Sequence, residues 1–146
     1  MANVKIGDRV YQLYWDLYAE NNISNRMGTE RKFIDWINGK NRLQNLSFTL
    51  VELINGGIRR KNAWIAAGLE SGEKESIFQM TEEEQEDFLS LFGISDFPKI
   101  QDAIISEYIK AYQIDIPEEI KKNMPDDDYL EIEAELEAEK DKDGKN

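Results

Sequence analysis

Neither cysteine nor histidine occurs in the 146 residues. The first absence excludes disulfides, thiolate nucleophiles and the usual cysteine-bearing structural zinc sites. The second removes the commonest general base and the commonest transition-metal ligand. Serine nucleophiles lose their usual partner with it, and the sequence carries no GxSxG elbow. Proline is scarce, at three residues. No run approaches the ~18–20 consecutive apolar residues that a membrane-spanning helix needs, and the opening MANVKIGDRV has no apolar signal core. Positive charge is also short: 18 Lys and Arg stand against 30 Asp and Glu, a formal net charge of −12. Phosphate contacts dominate nucleic-acid affinity, so this balance argues against a nucleic-acid partner, and equally against an anionic membrane surface. The expectation is a soluble cytoplasmic protein, without cofactor or metal, that is not an enzyme.

What the sequence does have is a long apolar stretch, Leu43 to Glu70. Leu43, Leu46, Leu50, Leu53 and Ile54 recur at helical spacing, and Phe48 and Val51 widen that face. The pattern resumes after Gly56-Gly57 with Ile58, Trp64, Ile65, Ala66 and Ala67, and stops at Gly68. Each interior glycine costs a helix roughly 0.5–1 kcal/mol relative to alanine, so the pair predicts two helices, or one kinked helix, joined there. A stretch this apolar is expected to form the core.

The remaining segments read as its cover. Gly7-Asp8 predicts a tight turn between short extended runs, with Val4 and Ile6 before it and Val10, Tyr11, Leu13 and Tyr14 after it. Trp15 to Met27 is expected to be helical, with Trp15, Leu17, Tyr18 and Ile23 as its apolar members. Thr29 can cap a short helix carrying Phe33, Ile34, Trp36 and Ile37, which Asn38-Gly39 ends. Thr81-Glu82-Glu83-Glu84 fits a capping box and starts a helix presenting Phe88, Leu89, Leu91 and Phe92 to the core, with its stop at Gly93. Ser95 is expected to cap the next helix, with Pro98 in the first turn and a stripe of Phe97, Ile100, Ile104, Ile105, Tyr108, Ile109 and Tyr112. Ile116-Pro117 introduces a further short helix. From Asp126 onward there are ten acids and three lysines, and the expectation is a frayed helix or disorder. The fold class is therefore mainly α: a compact multi-helix domain over 1–124 with a short N-terminal β-hairpin, and an acidic tail over 125–146.

Candidate chemistry is thin. Glu82, Glu83, Glu84, Glu86 and Asp87 read as a capped helix start. Asp126 to Asp128 lack the glycine turn and closing glutamate of a calcium loop. Arg59-Arg60-Lys61 has no phosphate-loop spacing and reads as a charged outer face pairing with nearby acids. Aromatics are frequent, and Trp and Tyr are enriched where partners dock. Trp36, Trp64, Tyr108 and Tyr112 are the candidate partner-binding residues.

The order of these pieces resembles the tail assembly chaperones of long-tailed bacteriophages. Ile6-Gly7-Asp8-Arg9-Val10-Tyr11-Gln12-Leu13 matches an "I-G-x-x-x-Y-x-L" phrase around the first hairpin. Ala67-Gly68-Leu69 matches an "A-G-L" phrase closing a central apolar helix. A threonine-capped acidic helix, an amphipathic helix and a charged extension follow in the same order. The likeness covers residues 3–112, although Trp15 and the asparagine-rich run after it make the first helix less regular than the family pattern. The resemblance implies a non-enzymatic morphogenesis factor of the host cytoplasm. It would coat the tape measure protein, keep it soluble, recruit tail tube subunits and form homo-oligomers. A longer frameshifted form is common in the family, and this chain would be the short one. An alternative from another class is an acidic mimic of nucleic acid that inhibits a host defence or DNA-binding protein, which requires its negative charge on one ordered face.

Overall fold

The computed structural model describes residues 2–29 and 32–112. The expectations for the helix after Ile116-Pro117, for Asp126 to Asp128, for the acidic tail and for the boundary at 124 lie outside those residues. Among them the chain forms a two-stranded antiparallel hairpin and five α-helices. The hairpin pairs β1 (Asn3–Ile6) with β2 (Arg9–Gln12), in the register Val4 opposite Tyr11 and Ile6 opposite Arg9. Gly7 makes the turn at φ 61°, a conformation L-residues seldom adopt. The helices are α1 (Leu17–Met27), α2 (Phe33–Ile37), α3 (Arg42–Ala66), α4 (Glu82–Phe88) and α5 (Phe97–Tyr112). None is long and apolar enough to cross a membrane.

The core forms around α3, as its pattern predicts. Leu46, Leu50, Leu53 and Ile54 are fully buried and lie on one face at i, i+4, i+7 and i+8. Ala19 and Ile23 of α1, Phe33, Trp36 and Ile37 of α2, Phe88 of α4, and Ile100, Ala103 and Ile104 of α5 close over them. Each buried Leu, Ile or Phe side chain contributes about 1.5–3 kcal/mol.

Gly56-Gly57 is not a bend. Helix α3 runs unbroken through both glycines. They are there because the chain leaving the hairpin lies directly on the helix backbone. A Cβ at Gly56 would lie 2.0 Å from the carbonyl oxygen of Tyr14, and one at Gly57 would lie 2.0 Å from that of Gln12. The approach is locked by the Tyr14 amide donating to the Leu53 carbonyl at 3.0 Å. Helix propensity is sacrificed for a backbone-on-backbone contact that only glycine permits.

Several boundaries differ from expectation for local reasons. Helix α1 starts at Leu17 rather than Trp15 because Asp16 is the cap, its carboxylate accepting from the Ala19 amide at 2.8 Å. Its buried members are Ala19 and Ile23, while Leu17 and Tyr18 are exposed. Thr29 does not cap α2, which begins after Lys32 without a side-chain cap. The Thr81 capping box forms as predicted, with Glu84 N donating to Thr81 Oγ1 and Thr81 N donating to Glu84 Oε1. The helix gives way at Leu89 to a 3₁₀ turn, and Leu91 is exposed. Ser95 is not a cap either. Gly93 N donates to Asp96 Oδ2, closing a 3₁₀ turn from which α5 starts at Phe97. Beyond Ile58, α3 leaves the core, so Trp64 faces outward.

The connector from α3 to α4 is held by two asparagines of α3. Asn55 exchanges both hydrogen bonds of its amide with the backbone of Phe78, at 2.8 and 2.9 Å. Asn62 does the same with Glu75, at 2.7 and 2.9 Å. Seven helical residues rise about 10 Å, and three extended residues span about 10 Å. The connector therefore runs antiparallel to the helix, stapled at matching intervals, and it lays Phe78 against Tyr11 and Phe88.

Replacing Gly56 or Gly57 by alanine in a free helix would stabilise it by up to about 1 kcal/mol. Here the sign should reverse: Gly57→Ala is expected to cost about 3 kcal/mol or more through backbone overlap. Urea unfolding checks this, and an unchanged or raised midpoint would contradict the close approach.

Candidate partner-binding surface

Where β2 leaves α3, the helical stripe it covered continues without it. Gly56, Arg60 and Trp64 follow one another at i+4 spacing, so they share a face. The strand crosses at Gly56 and Gly57, and beyond the crossing Arg60 and Trp64 emerge at the surface. The Arg60 guanidinium lies 4.8 Å from the Trp64 ring centre and 4.7 Å from that of Tyr14. The residue before it, Arg59, lies over the Tyr18 ring at 5.2 Å. Cation–π contacts of this kind are worth about 0.5–1 kcal/mol each at exposed sites and hold long side chains in place.

Arg59 is fixed from below. Its Nε and guanidinium Nη2 donate to the two oxygens of Asp16 at 2.6 and 2.9 Å. Hydrogen bonding to Asp16 raises the Arg59 pKa above its ordinary value. Asp16 thus caps α1 and anchors Arg59 at once, which ties the first helix to the C-terminal half of α3. The expectation that this basic cluster pairs with acids holds for Arg59.

Beside this strip the end of α5 meets the segment leading into α1. The groove between them has a volume of ≈ 510 Å³ and is lined by Tyr14, Trp15, Leu17, Glu20, Arg60 and Tyr112, among others. Leu17 is 86% exposed there among the described residues. At its floor Glu20 accepts from Trp15 Nε1 at 2.9 Å, from Ser24 Oγ at 2.7 Å and from the Tyr112 hydroxyl. Burial pushes the Glu20 pKa up, but these three donors outweigh it and hold the carboxyl below its ordinary range. Burial and the bond to Glu20 push the Tyr112 phenol well above its ordinary value.

The four candidate aromatics part company. Trp36 is only 7% exposed and belongs to the core. Tyr108 is half-buried and stacked on Phe33 at 4.7 Å. Trp64 and Tyr112, at 44% and 48% exposure, reach the surface, and Arg60 links them by touching the first and lining the groove of the second. Tyr14, Leu17 and Tyr18 complete this surface and were not singled out by sequence reasoning. Leu17 and Tyr18 were read as apolar members of a helix, and Tyr14 as part of the hairpin's second extended run.

A larger cleft of ≈ 1040 Å³ opens between α1 and the start of α3. Two of its amides are engaged internally: Asn45 Nδ2 donates to the Trp36 carbonyl at 3.1 Å, and Asn22 Nδ2 donates to Glu52 at 2.6 Å. Among the described residues no group of acids is arranged to hold a metal ion. Two of the acids of α4 serve structure: Glu84 in the capping box and Glu82 paired with Arg26.

Comparison with protein-family models, curated proteins and solved structures returns no match.

A carboxylate with a lowered folded pKa contributes stability that is present above its unfolded pKa and lost as pH falls through the folded one. Wild type is expected to exceed Glu20→Gln in unfolding free energy by about 1 kcal/mol at neutral pH. That gap should shrink as pH drops below the ordinary glutamate range. Urea midpoints across the acid range check it, and a gap that does not change with pH would contradict the role given to Glu20.

Proposed function

We propose that this chain is a non-enzymatic binding protein of the phage tail assembly chaperone type. In this reading it binds apolar helical segments of the tape measure protein, keeps them soluble and helps recruit tail tube subunits. The observation that carries it is the strip of exposed Tyr18 and Trp64 and half-buried Tyr14, braced by Arg59 and Arg60, beside Leu17, which is exposed among the described residues. Rigid aromatics contribute large contact area at low entropic cost, and Trp, Tyr and Arg dominate binding hot spots. An amphipathic client helix would lay its apolar face on such a strip and leave its polar face to solvent.

Two of the phrases behind the resemblance also fall at joints of the architecture. Ile6 to Leu13 makes the hairpin turn and ends in a fully buried leucine. Ala67-Gly68-Leu69 terminates α3: Gly68 takes φ 77°, and the Leu69 amide closes back on the Trp64 carbonyl at 2.9 Å. Trp64 thereby stands in the last turn of the helix, on a fixed backbone. The net charge of −12 would keep a chaperone–client complex dispersed by self-repulsion.

Apolar helical segments of a tape measure protein, co-expressed with this chain, are expected to move into the soluble fraction and co-elute with it. The double variant Leu17→Asp, Trp64→Ala should lose co-elution while keeping its own thermal midpoint. Equal client solubility with and without the chain would contradict the proposal.

A further inference from the structure

The cleft of ≈ 1040 Å³ between α1 and the start of α3 has a mostly polar lining, and two of its polar side chains, Asn45 and Glu52, are more than nine-tenths buried. Each makes one hydrogen bond: Asn45 Nδ2 donates to the Trp36 carbonyl, and Glu52 Oε1 accepts from Asn22 Nδ2. The second oxygen of each, Asn45 Oδ1 and Glu52 Oε2, meets no donor among the described residues. Neither is sealed off, because the side-chain atoms that are both fully buried and unpaired there are Asn3 Oδ1 and Thr49 Oγ1. The cleft therefore holds two fixed acceptors.

Burying a carboxylate beside a single neutral donor is costly, and a cation from outside would relieve it through a charge-assisted hydrogen bond. Glu52 acts on Arg59 through space, but the Arg59 donors go to Asp16. Arg26 of the lining is balanced by Glu82, which leaves Asp35 and Glu52 against Lys40. Trp36 and Phe48 offer apolar wall to the aliphatic stem of a lysine or arginine.

Spacing points to a peptide. Asn45 and Glu52 stand seven positions apart on α3, a rise of about 10 Å, which three extended residues also span. The same helix already holds an extended segment at this interval, with Asn55 on Phe78 and Asn62 on Glu75.

We propose that this cleft binds an extended, basic peptide segment, one of whose backbone N–H groups donates to Asn45 Oδ1 while a lysine or arginine about three residues along donates to Glu52 Oε2. The site lies at the other end of α3 from Trp64, so it stands whatever docks on the aromatic strip.

The probe is an acetylated, amidated octapeptide of alternating threonine and lysine, titrated into ¹⁵N-labelled full-length protein. The Asn22 and Asn45 side-chain amides and the Trp36 indole N–H should shift, and the Trp64 indole N–H should not. Glu52→Gln keeps an acceptor for Asn22 but loses the charge, and should bind about tenfold more weakly. Glu83→Gln, an equal change of charge at an exposed position of α4, should bind like the wild type. Asp35→Lys, on the exposed rim, should also weaken binding, and it carries the test if Glu52→Gln does not fold. Wild-type affinity in both Glu52→Gln and Asp35→Lys would overturn the proposal, because overall charge would then hold the peptide. So would equal binding of the octapeptide with glutamine in place of lysine. Binding of N-acetyl-lysine amide as tight as that of the octapeptide would overturn it too, since the cleft would then take a single cation and no peptide.

Discussion

The contact of one backbone on another at Gly56 and Gly57 is the constraint from which the rest of the architecture follows. Two carbonyl oxygens, from Gln12 and Tyr14, occupy the space two Cβ atoms would need. The Tyr14 amide is satisfied by the Leu53 carbonyl. A two-stranded hairpin is marginal on its own, and this docking gives it a base. It also sets where the chain must go next. Asp16 falls beside Gly56, within reach of both the first turn of α1 and the Arg59 guanidinium. The N-terminal end is tied down in turn, with the Ala2 amide donating to the buried carboxylate of Glu107 in α5. Hairpin, first helix and last helix are thereby referenced to a single stretch of α3.

Much of this was legible in the residues. The hairpin turn at Gly7-Asp8 and the capping box at Thr81 are local signals and form where their patterns say; the apolar stripes of α3 and α5 do so in part, with Leu46, Leu50, Leu53, Ile54, Ile100 and Ile104 buried but Leu43, Trp64 and Tyr112 exposed. The glycine pair was misread because a helix break and a close backbone crossing leave the same trace in a sequence. Only the position of a strand some forty residues away distinguishes them. Asn55 and Asn62 were invisible for the same reason. Their partners lie 23 and 13 residues on, in a connector with no periodicity of its own. The expected caps at Thr29 and Ser95 did not form: α2 begins after Lys32 with no side-chain cap, and at the other site Asp96, rather than Ser95, bonds the Gly93 amide.

The candidate surface was legible in half its members. Trp36 shares i, i+3, i+4 spacing with Phe33 and Ile37, and that periodicity already pointed inward. Trp64 follows Arg60 and Lys61, beyond the last buried residue of α3, and its outward direction could be read from that charge. Leu17 and Tyr18 were missed because they belong to a helix whose burial rests on the small Ala19 and on Ile23. Ala19 and Ile23 share the buried face at i, i+4, and Leu17 and Tyr18 fall on other faces of the helix. The buried stripe and the candidate surface thus meet at the same crossing: the strand covers the stripe as far as Gly57, and the stripe's continuation is the aromatic–arginine strip.

Hydrogen exchange at the Tyr14 amide tests the central contact most directly. If the strand is seated on α3, this proton opens only with the domain, and its protection should equal that of the Leu53 and Ile54 amides in the core. Exchange at Tyr14 as fast as at the Gly7-Asp8 turn, with α3 still protected, would mean that the hairpin leaves the helix freely and that the two glycines have some other cause.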